Sequence, residues 1–111
     1  MHNKKTLDIQ IQEPHFSFLC NGKKRVESRL AKLKYQQLNN GDILRVNNSV
    51  NFIVLKTAQY SSFQELLESE SIPLVLPNAK DRKEALSIYY GFYSKEEEKE
   101  NGVIAIHLSK I

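Results

Sequence analysis

Residues 22 to 29 read GKKRVESR, placing four Lys/Arg and one Glu within eight positions. Two kinds of chemistry fit that set. A lysine partly desolvated in a cleft has its pKa lowered and can serve as a base, or activate a hydroxyl, while a carboxylate shuttles the proton to a leaving amine. Alternatively, arginine and lysine grip phosphate or a base edge, and glutamate accepts from an exocyclic amine. A third outcome is a plain surface ion pair, worth roughly 0 to 1 kcal/mol. On a strand, alternation puts Arg25, Glu27 and Arg29 on one face and Val26, Ser28 and Leu30 on the other. Val26 and Leu30 require a core, so Glu27 and Arg29 share the opposite face, with Lys24 entering from the helix side of the junction.

The elements that position this stretch follow from periodicity. TLDIQIQ alternates Leu7, Ile9 and Ile11 as a half-buried strand. Pro14 suits a first helical turn, Phe16, Leu19 and Cys20 share a helical face, and Asn21-Gly22 ends the helix. RVESRL is a second strand, followed by a loop through Tyr35 and a turn at NNGD; ILRV and VNFIVLKTAQY are strands joined at NNS. Ser62 and Glu65 form a capping box for a helix burying Phe63, Leu66 and Leu67. Pro73 and Pro77 bracket LVL as an edge strand or extended connector. Asp81 caps a helix with Ala85, Ile88, Tyr89 and Phe92 on one stripe, and Gly91, which costs about 1 kcal/mol inside a helix, predicts fraying or an end there. SKEEEKENG is a last helical turn capped by Ser94, with a solvated acidic face and a stop at Gly102. VIAIHL closes the chain, with Ile104, Ile106 and Leu108 inward and His107 outward. Strands without regular crossover helices predict an α+β fold, a small mixed or antiparallel β-barrel with helices covering its openings.

Composition bounds the function. The 111 residues, with 41% hydrophobic and 26% charged side chains, form a single domain spanning 1–111. No run approaches the ~18 apolar residues of a membrane span, and the N-terminus has no apolar signal region, so no membrane role and a cytoplasmic location are expected. Cys20 is the single cysteine, and His2, His15 and His107 lack ligand spacing, so neither a disulfide nor a metal is expected. No motif calls for a cofactor. The net charge is +3, yet residues 22–35 alone carry +5, leaving −2 for the remainder, much of it in QELLESE and KEEEKE. One positive face implies an anionic partner. Single-stranded recognition would add base stacking, for which Tyr35 and Tyr60 are candidates, whereas Tyr89, Tyr90 and Tyr93 are read as core or rim packing. A protein-interaction role lacks an exposed amphipathic stripe beyond what the core uses.

GKKRVESR also has the form G-x-K-x-x-E-x-R, with Gly22, Lys24, Glu27 and Arg29 at all four defined positions. This pattern resembles the signature of the ASCH family in the PUA-like superfamily. LNNGDILRV, YSSFQELL, the Tyr/Phe-rich helix and NGVIAIHL follow in the same order, so that the resemblance covers almost the whole chain of a short stand-alone member. It implies a PUA-like barrel with a basic cleft beside the signature strand, and binding of RNA or a nucleotide in RNA metabolism or translation-linked regulation. The implied ligand-binding residues are Gly22, Lys24, Glu27 and Arg29; from the basic stretch itself, Arg25 and Lys32 would track more of the backbone while Tyr35 or Tyr60 stacks on a base, in a monomer or weak dimer. A nuclease activity is attributed to one group of the family. One bacterial branch deacylates N4-acetylcytidine, which makes a small amidohydrolase the alternative, with Lys24 and Glu27 as its catalytic pair. That branch pairs the lysine with a threonine where Glu27 stands here, and uses a glutamate before the second helix, where LPNAKD offers only Asp81.

Overall fold

The computed structural model describes residues 3–111; His2 lies outside them. The order of elements is β1 (Thr6–Ile9), α1 (His15–Cys20), β2 (Val26–Leu30), α2 (Leu33–Gln36), β3 (Ile43–Val46), β4 (Val50–Tyr60), α3 (Phe63–Ser69), α4 (Ile72–Val75), α5 (Arg82–Phe92), α6 (Lys95–Asn101) and β5 (Val103–Lys110). The strands form one sheet in the order β1-β3-β4-β5-β2. Only β1 and β3 run parallel; the other pairings are antiparallel. The barrel is therefore a curled half-barrel, with β1 and β2 as its two unpaired edges.

Position in the sheet explains the burial of β5, which is hydrogen-bonded to neighbours on both sides. Ile104, Ile106 and Leu108 enter the core inside the curl with Leu44, Val46, Phe52 and Val54. Val103 and Ala105 face a second core under the helices, where Phe63, Leu66, Val75, Ala85 and Tyr89 pack on Val26 and Leu30. A strand covered on both faces loses strict alternation of polar and apolar residues, so an inward/outward reading captures only one of its two buried faces. His107 is accordingly half-buried against Glu70 rather than freely solvated, its Nε2 2.9 Å from the carboxylate.

The helix starts obey local capping chemistry. The side chains of Ser62, Asp81 and Ser94 each accept from the backbone N–H three residues on, and Ser94 and Glu97 complete a reciprocal capping box. Three expectations are corrected. The loop through Tyr35 is the helical turn α2, and the LVL connector lies largely in the short helix α4, whose Pro73 sits in its first turn and so lacks no hydrogen bond it would otherwise make. Helix α5 ends at Phe92, one residue past Gly91, where the helical glycine predicts an end. The acidic face of α6 is not wholly solvated: Glu98 is buried and accepts from the Phe63 N–H and the Tyr90 hydroxyl, tying α6 to α3 and α5.

Candidate functional site

The register of β2 on β5 decides where the charged residues point. Glu27 lies opposite Ile106 and Arg29 opposite Ile104, so both side chains face into the curl, while Val26, Ser28 and Leu30 face the helices. Because β2 is an edge strand, that inner face opens onto the seam between β2 and the segment following β1. Arg29 spans the seam, its Nη2 donating to the Gln10 carbonyl at 2.6 Å. A cavity of about 200 Å³ occupies the seam. Gln10 and Ile11 line one side, Lys24, Glu27 and Arg29 the other, and His15, Tyr89, Phe92 and Tyr93 close it from α1 and α5.

Lys24 reaches this place because α1 stops abruptly. Gly22 takes a φ of +84°, a left-handed conformation that side chains other than glycine rarely adopt. The chain then doubles back, and the Lys24 N–H donates to the Phe18 carbonyl at 2.9 Å. The lysine side chain is 2% exposed, and its Nζ sits 2.7 Å from the Val26 carbonyl oxygen, 2.6 Å from that of Val75 and 3.3 Å from Glu27 Oε1. Carbonyl oxygens only accept. Three acceptors around one nitrogen call for three N–H groups, which is the ammonium form. Burial nonetheless pushes the Lys24 pKa down from lysine's ordinary value, with Glu27 opposing that shift.

Glu27 is the centre of the trio. Arg29 Nε donates to its Oε2 at 2.8 Å, on the side away from Lys24. Burial alone pushes the Glu27 carboxyl up, but the flanking Lys24 and Arg29 outweigh burial and hold it below the usual carboxylate range. All three Arg29 nitrogens are engaged: Nε on Glu27, Nη1 on the Tyr35 hydroxyl at 3.2 Å and Nη2 on Gln10. His15, lowered by burial and by Lys24 in spite of Glu27 and Glu13, adds a neutral ring whose edge meets Phe92 with centroids 5.9 Å apart.

The other residues singled out by sequence lie elsewhere. Tyr35 is buried beneath Arg29, whose guanidinium is 5.8 Å from its ring centroid, so it orients Arg29 and offers no free face for a base. Tyr60, at the far end of β4, donates to Glu70 at 2.6 Å and is not among the cavity residues. Arg25 precedes β2 instead of alternating with Glu27; it is exposed and borders a separate groove with Gly22. Lys32 is exposed at the start of α2. Ser28 points to the helix face as alternation predicts, where its hydroxyl accepts from Tyr89 at 2.9 Å, yet it also borders the cavity. Asp81 is occupied as the cap of α5 and is absent from the cavity wall. Sequence reasoning passed over His15, Phe92, Tyr89 and Tyr93. The available signal was the α5 stripe itself: Phe92 extends it past the covered end of the helix and is 48% exposed.

A curled, mixed half-barrel with helices over one face and a charged cavity at its seam defines a PUA-like α+β domain. The chain belongs to the ASCH domain family, whose pattern matches residues 9–111. This family is commonly linked to RNA binding. Among solved structures, the chain is similar to hypothetical protein PH0355, with a TM-score of 0.90 and 37% identity over 96% of this chain and 99% of that one. It is also similar to protein PF0455 from Pyrococcus furiosus, with a TM-score of 0.80 and 32% identity over 96% and 97% of the two chains. Comparison with curated proteins gives no match. Among the described residues, no helix is long and apolar enough to cross a membrane, and no group of three metal-ligating side chains is gathered.

Proposed function

We propose that this domain binds RNA or a nucleotide by seating one base in the seam cavity, with Glu27 accepting from the base's exocyclic amine. The observation that supports this reading is the hydrogen-bond inventory of the trio. The three Lys24 N–H groups are spent on Val26, Val75 and Glu27. The guanidinium of Arg29 is tied at every nitrogen, with two of its five N–H groups left. Glu27 stays ionised with lone pairs to spare, since a carboxylate has about four acceptor sites and two are used here. The cavity therefore offers a negative acceptor beside a directed donor, which suits a base edge better than a phosphate. Its roughly 200 Å³ falls below the range of ~300–1,000 Å³ typical for drug-sized ligands, consistent with a small planar group. Phe92, Tyr93 and His15 supply ring surface beside it.

The amidohydrolase alternative draws less support. A base needs a lone pair, and the three acceptors around Lys24 Nζ favour the ammonium. The Ser28 hydroxyl is engaged by Tyr89, and Asp81 caps α5.

Calorimetric titration with the four ribonucleosides, their 5′-monophosphates and inorganic phosphate tests the proposal. Adenosine, cytidine or guanosine should bind, uridine should bind at least tenfold more weakly, and the monophosphate should gain only a few-fold over its nucleoside. Equal binding of uridine, or competition by inorganic phosphate for the cavity, would overturn it.

A further inference from the structure

Lys24 is the partition between two depressions. Behind it, on the side away from Glu27, lies a wider groove of about 510 Å³. Its floor is apolar, made of Leu19, Val26, Phe52 and Leu108, and its walls carry two leucines that solvent reaches, Leu55 at 44% exposure and Leu74 at 38%. Leu55 is exposed for a specific reason. The pairing of β4 with β5 jumps from Val54–Leu108 to Lys56–His107, so Leu55 is the extra residue of a β-bulge, and bulges re-aim a side chain out of the regular pleat. Its carbonyl is held by the Asn40 side chain at 2.7 Å, which fixes the bulge in place. Leu74 comes from α4, whose own core contribution is Val75.

The rim of this groove is positive. Arg25 and Lys110 line it, and each contacts only backbone oxygen, Arg25 Nε at 3.4 Å from the Gly22 carbonyl and Lys110 Nζ at 3.3 Å from that of Cys20. Among the described residues neither has a carboxylate within salt-bridge distance. Among the described residues no Asp or Glu lines the groove, and the carboxylate nearest its His107 wall, Glu70, is paired with that histidine.

We propose that this second groove docks a protein segment carrying a leucine-like side chain beside one or more carboxylates. Charge complementarity selects an acidic segment, and the two exposed leucines select an apolar one. A nucleic-acid backbone would satisfy Arg25 and Lys110 but would leave Leu55 and Leu74 facing water, so the leucines favour a protein. Peptide grooves commonly divide the work in this way, with apolar pockets anchoring and rim charges steering. The seam cavity then holds a base while the opposite side of Lys24 holds a partner protein.

The experiment is selection of a displayed library of random 12-residue peptides on the intact domain. Enriched peptides, made synthetically, are then titrated against wild type, Leu55→Ser/Leu74→Ser and Arg25→Glu/Lys110→Glu. The expected outcome is enrichment of Asp or Glu next to Leu, Ile or Phe, with affinity falling at least tenfold in each double variant. Nucleoside binding should be unchanged in Leu55→Ser/Leu74→Ser, which separates the groove from the seam cavity. All four residues are exposed, so their melting temperatures should stay near wild type, and if the leucine variant fails to fold, the charge variant decides alone. Absence of enrichment, enriched peptides that bind both variants as tightly as wild type, or ultraviolet crosslinking of a single-stranded RNA to this groove would each overturn the proposal.

Discussion

Replacing Lys24 with methionine keeps the length and apolar stem of the side chain and removes only its charge and donors. Glu27 then loses the partner 3.3 Å from Oε1, and the carbonyls of Val26 and Val75 lose donors at 2.7 and 2.6 Å in a site closed to water. Removing one partner of a buried ion pair costs about 3–5 kcal/mol, and each buried carbonyl left unpaired adds to that figure, although not additively. A domain of this length has roughly 6–17 kcal/mol of stability in total, so the change removes a large share. At about 4 °C per kcal/mol for a chain of this size, the melting temperature should fall by about 12–20 °C. Thermal and urea unfolding followed by circular dichroism would measure it, and a variant too unstable to fold counts as the large loss. Adding Glu27→Gln to Lys24→Met should recover about 1–3 kcal/mol, because no buried carboxylate is then left short of its second cation. A single variant melting within about 4 °C of wild type would show that the Lys24 ammonium does not hold Glu27 and the Val26 and Val75 carbonyls in place.

Acid should weaken the fold through Glu27. Its folded pKa lies below the ordinary value of 4.5, so near and below that pH the unfolded chain binds the proton first. The stability it contributes is present above that range and is lost as pH falls through the folded pKa. Urea midpoints from about pH 6 to about pH 3 should therefore fall more steeply for wild type than for Glu27→Gln. Phe92→Ala should weaken nucleoside binding by about 5- to 150-fold, the equivalent of roughly 1–3 kcal/mol of stacking, with only a small change in melting temperature because about half of Phe92 is exposed. For single-stranded RNA, three to five phosphate contacts by the exposed basic residues predict log K against log[salt] falling with a slope of about −2 to −3.5, while nucleoside binding should be nearly flat; matching slopes for the two would place phosphate contacts inside the cavity.

Much of the architecture could be read from local patterns, because capping serines, the Asp81 cap and the alternation in β2 act over three or four residues and leave direct traces. The burial of both faces of β5 could not, since it depends on which strands flank it and on α3 to α5 covering its second face. The same limit governs the site. Gly22, Lys24, Glu27 and Arg29 are near neighbours in sequence, and their spacing announces them. The ring wall comes from His15 and from the end of α5, more than sixty residues beyond the trio, and only the closure of the helices onto the seam brings it close. Tyr35 misleads for a related reason: an aromatic residue beside a basic stretch looks like a stacking platform, but α2 turns it inward under Arg29. The Leu55 bulge is also silent in the sequence, since an extra residue in one strand is defined by the register of its partner.

In the proposed complex an ionised Glu27, held between Lys24 and Arg29, reads a base by its amine. Calorimetric titration of cytidine against wild type and Glu27→Gln tests this most directly, with uridine as the paired control. The variant should lose about 1–3 kcal/mol of discrimination, so that cytidine weakens toward uridine while uridine holds or improves. Undiminished preference for cytidine in Glu27→Gln, with folding intact, would contradict it.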